Sequence, residues 1–151
     1  MEAGKPLSVG LRLRNLYGMA AAGHKVEASV SVAPASFRFA GLEKYTFLDP
    51  APFAGLGQTR RLPAATTDAD GAAALPIPAE LLTRASVLCH IAAEGFEADG
   101  GRATSAEVSF LTSPHTRMLG YAPTGSLTNL GFIPQGSRAE LEFIAVDPHL
   151  S

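Results

Sequence analysis

Apolar and polar residues alternate along most of this chain, and alternation of this kind predicts β-strands. In residues 7–13, leucine and valine take every second position, with serine, glycine and arginine between them. Residues 26–32 repeat the pattern with valine and alanine. A period of two places the apolar side chains on one face, so both segments are predicted to be half-buried strands. Shorter or less regular runs predict further strands at 45–47, 56–62, 72–77, 87–93 and 103–111.

Clusters of glycine, proline and aspartate separate the predicted strands, for example at 49–52, 70–71 and 100–101. About seven short strands with such turns are typical of an immunoglobulin-like or fibronectin-III-like antiparallel β-sandwich. Helix signals are scarce, since only residues 78–85 suit a turn or two, with Pro78 at an acceptable first position. The predicted fold class is therefore all-β, with the sandwich occupying residues 1–113.

The last part of the chain, residues 114–151, has a different pattern. No clear periodicity follows Pro114 until 127–133 and 139–146, which predict two more strands. Two strands cannot bury a core by themselves. This tail is therefore predicted to be either an extra hairpin on the first sandwich or the opening of a second domain. If it is ordered, the apolar residues Leu141 and Phe143 must find a surface, either the edge of the sandwich or a second copy of the chain.

Composition and charge narrow the classes of partner. The chain has 151 residues, of which 46% are apolar, enough for one packed domain. No apolar run approaches the ~20 residues of a membrane-spanning helix, and no basic start with an apolar stretch marks a secretory signal after Met1. The net charge is −2, with only 12 lysines and arginines, so we expect no binding to nucleic acid and no membrane insertion of this segment.

The segment DADG at 68–71 fits two interpretations, half of a calcium loop or the tip of a hairpin. A helix-loop-helix calcium loop needs a carboxylate about 12 residues from its first ligand, because the ion takes about six to eight oxygens. Here no acidic residue follows Asp70 until Glu80, and no predicted helix flanks the segment. A tight turn needs only an aspartate and a glycine that accepts positive φ. We therefore predict no bound calcium, and a hairpin tip between a strand ending near Thr67 and the strand at 72–77.

Several motifs that are weak one by one gain weight from their order along the chain. They are NLYG at 15–18, KYTFLDP at 44–50, TTDADGAAAL at 66–75, and EGFEADGGR at 94–102 followed by ATSAEVSFLTSP. Together they resemble a macroglobulin-like domain of the bacterial alpha-2-macroglobulins. LGY at 119–121 and FIAVDPHL at 143–150 resemble the lead into the next such domain. The resemblance implies that residues 114–151 are a linker and the first strands of a following macroglobulin-like domain.

The resemblance also implies a piece of a large protease trap, located in the bacterial periplasm or cell envelope. In that family a protease cuts an exposed bait segment, the molecule rearranges, and a thioester in a CxEQ-type motif captures the protease. The one cysteine here, Cys89, lies in Cys-His-Ile-Ala and does not match that motif. Because Cys89 shares the apolar face of a predicted strand with Val87 and Ile91, we predict a buried, unreactive thiol.

No other residues form a recognisable catalytic, cofactor or metal motif. None of the histidines has a second histidine or cysteine about three to five residues away, as most zinc sites require. Three serines near the end of the predicted sandwich lie outside any GxSxG context. The glycines of 94–102 do not open a helix, so this segment is predicted to connect two strands. The residues considered are His24, His90, His115 and His149, and Ser105, Ser109 and Ser113.

The sequence therefore favours a non-enzymatic structural module without a catalytic, cofactor or metal site. By resemblance, its partners are the neighbouring domains of the same long chain, and target proteases through the full-length protein. The alternative is a ligand-binding immunoglobulin-like module, such as an adhesin or a carbohydrate-binding module. That alternative requires exposed aromatic residues on one sheet, whereas the chain has no Trp and only 3 Tyr.

Overall fold

Antiparallel β-strands account for nearly all of the regular structure, which confirms the all-β prediction. A computed structural model describes residues 7–49, 56–97, 103–124, 135–136, 138 and 140–147. The strands in these residues are β1 Ser8–Arg12, β2 Lys25–Pro34, β3 Ser36–Phe37, β4 Thr46–Leu48, β5 Thr59–Arg61, β6 Ala65–Thr66, β7 Ala72–Pro76, β8 Val87–Phe96, β9 Ala103–Thr112, β10 Met118–Thr124 and β11 Glu140–Val146. In the described part of the chain, no helix is both long and apolar enough to cross a membrane.

The largest sheet has the strand order β5–β2–β8–β9, and β6 also pairs with β2. Its central strands, β2 and β8, are 10 residues long and antiparallel, with Val26 opposite Gly95 and Pro34 opposite Val87. Strand β8 pairs in turn with β9, where Phe96 lies opposite Ala103. Segment 94–102 therefore connects two neighbouring antiparallel strands, as its sequence predicted.

A second layer covers one face of this sheet and completes a sandwich. Strand β1 pairs with β7, and Leu75 of β7 and the adjacent Ile77 pack against the alternate apolar residues of β2 and β8. Val26, Val30, Val87 and Leu75 are fully buried. Full burial of an aliphatic side chain contributes about 1.5–3 kcal/mol, so burial of this cluster stabilises the sandwich. The other buried members are Ala28, Val32, Leu62, Leu81, Leu82, Ala85, Cys89, Ile91 and Ala93.

A separate four-stranded sheet, with the order β11–β10–β4–β3, joins the tail to the rest of the chain. Gly120 of β10 lies opposite Phe47 of β4, so the tail pairs with the edge of β4. Strand β11 confirms the strand predicted at 139–146, whereas the one predicted at 127–133 lies outside the described residues. Strand β10 was not predicted. The division of the chain at 113 and 114 stays a prediction.

Local structure differs from the sequence prediction in two respects, the number of strands and the strand pairing around the DADG segment. The described part of residues 1–113 contains nine strands rather than about seven, because β3 and β6 are two-residue strands. The segment 78–85 forms a single 3-10 turn, Ala79–Leu81, within the turn or two that its sequence predicts. The DADG segment forms the expected turn, in which the Gly71 N–H donates to the Asp68 carbonyl at 3.0 Å. It does not form a hairpin, because β6 pairs with β2 and β7 pairs with β1, in different sheets.

Candidate docking face

The outer face of the β4–β10–β11 sheet is apolar and open to solvent. In β10 and β11, Tyr121 lies opposite Phe143, so these two side chains share a face. Leu119 is two residues from Tyr121 on the same strand, and it is 60% exposed, while Phe143 is 59% exposed. Leu48 of β4 projects from the same side, because Thr46 is opposite Tyr121. We call this surface the docking face; its large members are Leu48, Leu119, Tyr121, Leu141 and Phe143.

The inner face of the same sheet is apolar and closed along β4 and β10, while on β11 it carries the exposed Glu142. Phe47, Met118 and Ala122 are buried there. The Phe47 ring fills the space beside Gly120, and the Phe39 ring meets it edge-on with centroids 4.8 Å apart. An antiparallel sheet at a protein surface commonly has one apolar face packed on the core and one polar face in water. This sheet has apolar residues on both faces, which is the pattern of a sheet that is covered on both sides.

Surface polar contacts join β11, at the edge of the sheet, to the segment before β4. The Lys44 ammonium lies 2.8 Å from one carboxylate oxygen of Glu142, and the Tyr45 hydroxyl donates to the other at 2.7 Å. The Lys44 bond, and after it the Tyr45 bond, lowers the pKa of Glu142. The Lys44 ammonium also lies 4.8 Å from the centroid of the Tyr45 ring. These contacts give the docking face a defined position relative to the segment before β4.

A second polar cluster joins the end of β4 to the ends of β8 and β9. The Ser86 N–H donates to Asp49 Oδ2 at 2.9 Å, and His115 Nε2 lies 2.9 Å from the same oxygen. The Ser86 and Ser113 hydroxyls are hydrogen-bonded at 2.9 Å, and both residues are buried. The His115 N–H donates to Ser113 Oγ at 3.2 Å. The cluster links the two sheets where the chain enters the tail.

Serine, histidine and aspartate meet in this cluster, but their hydrogen bonds differ from those of a catalytic triad. A catalytic serine hydroxyl is hydrogen-bonded to the histidine ring. Among the described residues, the bond between Ser113 and His115 involves the backbone N–H of His115, and the ring contacts Asp49. The buried hydroxyls of Ser86 and Ser113 bond to each other. The geometry therefore serves a structural connection. Of these residues, Ser113 and His115 are candidates from the sequence, whereas Asp49 and Ser86 lie in no catalytic or metal motif.

Of the remaining histidines and serines, His90 and Ser109 are hydrogen-bonded to each other on the exposed surface, whereas His24 lies elsewhere. His24 Nδ1 is 2.9 Å from the carbonyl oxygen of Phe96, and His90 Nδ1 is 3.0 Å from Ser109 Oγ. Ser105 is exposed on β9, and His149 lies outside the described residues. Within the described ranges, no group of three or more histidine, cysteine, aspartate or glutamate residues is arranged to hold a metal ion.

Asp68 stabilises the turn at 68–71 through its side chain. Its Oδ1 accepts hydrogen bonds from the N–H groups of Asp70, at 2.9 Å, and Ala72, at 2.8 Å. An aspartate side chain that bonds the backbone two residues further on is typical of turns. Gly71 has a φ of +71°, the conformation expected of the glycine in this turn. The absence of calcium at this site stays a prediction.

Cys89 lies in the sandwich core between Val87 and Ile91, and all three are buried as predicted. Burial raises the pKa of the Cys89 thiol. Because the thiolate is the reactive form, both the raised pKa and the lack of access lower its reactivity.

We expect thiol labelling of Cys89 in the native protein to be slow and to become fast in denaturant. Unfolding should limit the labelling rate, because the reagent does not reach the core of the folded sandwich. The matched control is Val108→Cys in a Cys89→Ala background. Val108 lies opposite Ile91 on the edge strand β9 and is exposed, so its thiol should label rapidly. Equal labelling rates at the two positions would show that the core opens to solvent.

Comparisons with known proteins agree with the architecture. The family model described as Bacterial Alpha-2-macroglobulin MG5 domain matches residues 1–114. The chain is 29% identical over 145 residues to the alpha-2-macroglobulin homolog of Yersinia pestis, covering 96% of this chain and 7% of that protein. It is 31% identical over 151 residues to the alpha-2-macroglobulin of Pasteurella multocida (strain Pm70), covering 98% of this chain and 8% of that protein. The chain thus spans less than about a tenth of the length of these curated relatives. No solved structure matches it.

Proposed function

Because the chain belongs to the family of bacterial alpha-2-macroglobulin MG5 domains, we propose that it is a structural module of an alpha-2-macroglobulin-like protease trap. In this role it has no chemistry of its own. It holds neighbouring domains of the same long chain in position, so that cleavage elsewhere in the trap becomes a rearrangement of domains. Its place is the periplasm or cell envelope, and it meets target proteases only through the full-length protein.

The docking face is the observation that carries this proposal. Five large apolar side chains lie together on one side of three hydrogen-bonded strands and remain exposed in this chain. Contiguous exposed apolar surface of this kind marks an interaction site, because covering it removes apolar area from water. Strand pairing and the Glu142 contacts hold the face in one geometry, so it can fix the position of whatever packs on it.

The occupant of the docking face is the rest of the following macroglobulin-like domain of the same polypeptide, because residues 114–151 would be only the first strands of that domain. Its strands would form the second layer over β10 and β11, as the sheet with two apolar faces requires. The relatives are more than ten times longer than this chain, and their additional length provides the partner.

A single charge on the docking face tests this proposal when it is measured in two contexts. We expect Phe143→Glu to change the stability of β10 and β11 little in the 151-residue chain, because Phe143 is exposed there. In the longer protein the same carboxylate would be buried, at a cost of several kcal/mol. Amide hydrogen exchange of β10 and β11 measures the effect of Phe143→Glu in each context. The exchange should accelerate strongly only in the longer protein.

Ser105→Lys is the control, since it adds one charge to an exposed position on β9, in the other sheet, where Glu94 on the opposite strand accommodates a positive charge. It should have little effect in either context. Equally small effects of Phe143→Glu in both contexts would mean that the docking face stays open in the longer protein. The proposal would then fail, and a ligand-binding module would become the better hypothesis.

A further inference from the structure

A surface turn between β1 and β2, outside the docking face, presents three large apolar side chains to solvent. Leu16 is 100% exposed, Tyr17 is 88% exposed, and Met19 is also exposed. They belong to the NLYG segment and the residue after it, and we call residues 15–19 the apolar turn. Isolated exposed apolar residues are common, but a group of three within four positions of one turn marks an interaction site.

The apolar turn is held in one conformation by its own hydrogen bonds. The Asn15 side-chain oxygen accepts from the N–H groups of Tyr17 and Met19, both at 3.0 Å. The Asn15 N–H donates to the Met19 carbonyl at 2.9 Å, and the Arg14 guanidinium donates to the Gly18 carbonyl at 2.9 Å. Gly18 supplies a φ of +81°. A partner therefore meets an ordered backbone and loses less free energy in ordering the turn.

The base of the apolar turn is anchored to the sandwich. The Leu13 N–H donates to the Gly71 carbonyl at 2.8 Å. Beside the turn lies a groove of about 410 Å³, lined in part by Leu13, Tyr17, His24 and Glu97. The groove is lined by both apolar and polar side chains, a mixture found at protein–protein contacts.

The size of the apolar turn decides what kind of partner it fits. An aromatic side chain buries about 150–250 Å² at most, so three side chains fall short of the roughly 800 Å² per partner that a stable complex of separate molecules buries. A contact of this size persists when the partner is tethered, because a short linker raises the effective concentration to about the millimolar range. The relatives are more than ten times as long as this chain. A tethered partner would lie in the corresponding additional part of the polypeptide.

We propose that the apolar turn packs into an apolar recess on another domain of the same polypeptide, a contact distinct from the docking face. This assignment rests on the structural role proposed above. It gives the module two separate attachment points, one on the β10–β11 sheet and one on the connection between β1 and β2. Two points on different sheets would fix the orientation of a domain as well as its position.

Site-specific photo-crosslinking in the longer protein tests the proposal. Tyr17 is replaced by p-benzoylphenylalanine, the protein is irradiated, and the crosslinked peptides are identified by mass spectrometry. We expect a crosslink to a peptide of another domain in the same polypeptide, with a yield that does not change over a tenfold range of protein concentration. A crosslink to a second molecule, or none, would overturn the proposal.

The same probe at Phe143 separates this proposal from the structural role in general. If Phe143 captures a following segment and Tyr17 captures nothing, the apolar turn has no partner and the structural role stands. If neither position captures another domain, both proposals fail. Ser105 is the control position, because it is exposed and lies outside both surfaces.

Asn15 is a positioning residue in this proposal, and its substitution gives a second test. Asn15→Ala removes the oxygen that holds the N–H groups of Tyr17 and Met19, so the crosslink yield from position 17 should fall severalfold. Asn15→Asp keeps an acceptor oxygen at the same place and should restore most of the yield. An unchanged yield in Asn15→Ala would show that the ordered turn does not matter for the contact.

Discussion

Replacing Gly71 with alanine should lower the free energy of unfolding by about 2–5 kcal/mol. Gly71 has a φ of +71°, where an L-residue costs roughly 1–2 kcal/mol. An added Cβ would also overlap the carbonyl oxygen of Leu13 and lie 3.1 Å from the Ala21 nitrogen. These are backbone atoms that are hydrogen-bonded to each other at 3.1 Å, and overpacking of this kind costs about 1–3 kcal/mol more. Urea denaturation, with an unchanged m-value, measures the loss.

Gly23→Ala is the matched control for this prediction. Gly23 has a φ of +74°, nearly that of Gly71, but an added Cβ there meets nothing within 4 Å. The control should therefore carry only the backbone cost of about 1–2 kcal/mol. The excess at Gly71 measures how closely the 68–71 turn packs on Leu13 and Ala21, in the segment between β1 and β2. Equal losses at the two glycines would show that this close approach is absent.

The contact between Phe47 and Gly120 should carry the largest single contribution in the four-stranded sheet. An added Cβ at Gly120 would overlap the Phe47 ring, so Gly120→Ala should cost about 1–3 kcal/mol. Phe47→Ala should cost about 3–5 kcal/mol, because Phe47 is almost completely buried and packs against Phe39. Thermal or urea unfolding followed by near-ultraviolet circular dichroism would report these losses, and β10 should lose hydrogen-exchange protection with them.

A double variant shows whether the two residues act through one contact. Phe47→Leu should relieve the overlap in Gly120→Ala, so the combined loss should be at least about 0.5 kcal/mol smaller than the sum of the two single losses. Gly10→Ala on β1 is the control, since nothing lies within 4 Å of an added Cβ and its φ is not positive. It should be neutral or stabilising by up to about 1 kcal/mol. Additive losses would mean that β10 does not press against Phe47.

The sequence alone indicated the strands that are long enough to show alternation of apolar and polar residues. Strands β2 and β8 bury every second residue, and both were predicted from that alternation. The two-residue strands β3 and β6 are too short to show any period. Strand β10 was missed because Gly120 and Pro123 interrupt its pattern, and because apolar residues lie on both of its faces. In the docking face, Leu141 and Phe143 were recognised as needing a surface, whereas Leu48, Leu119 and Tyr121 were not.

What the sequence by itself determined is therefore local: the all-β class, the alternating core strands, the turn at 68–71 and the buried environment of Cys89. These depend on the period of side chains along a strand and on the conformations that glycine and aspartate accept. Only the tertiary structure decided that β6 and β7 join different sheets, that Asp49 reaches Ser86 and His115, and that both faces of β10 are apolar surfaces. Strand pairing and side-chain contacts between distant residues depend on which surfaces meet once the chain has closed its loops, and no short stretch of sequence contains that information.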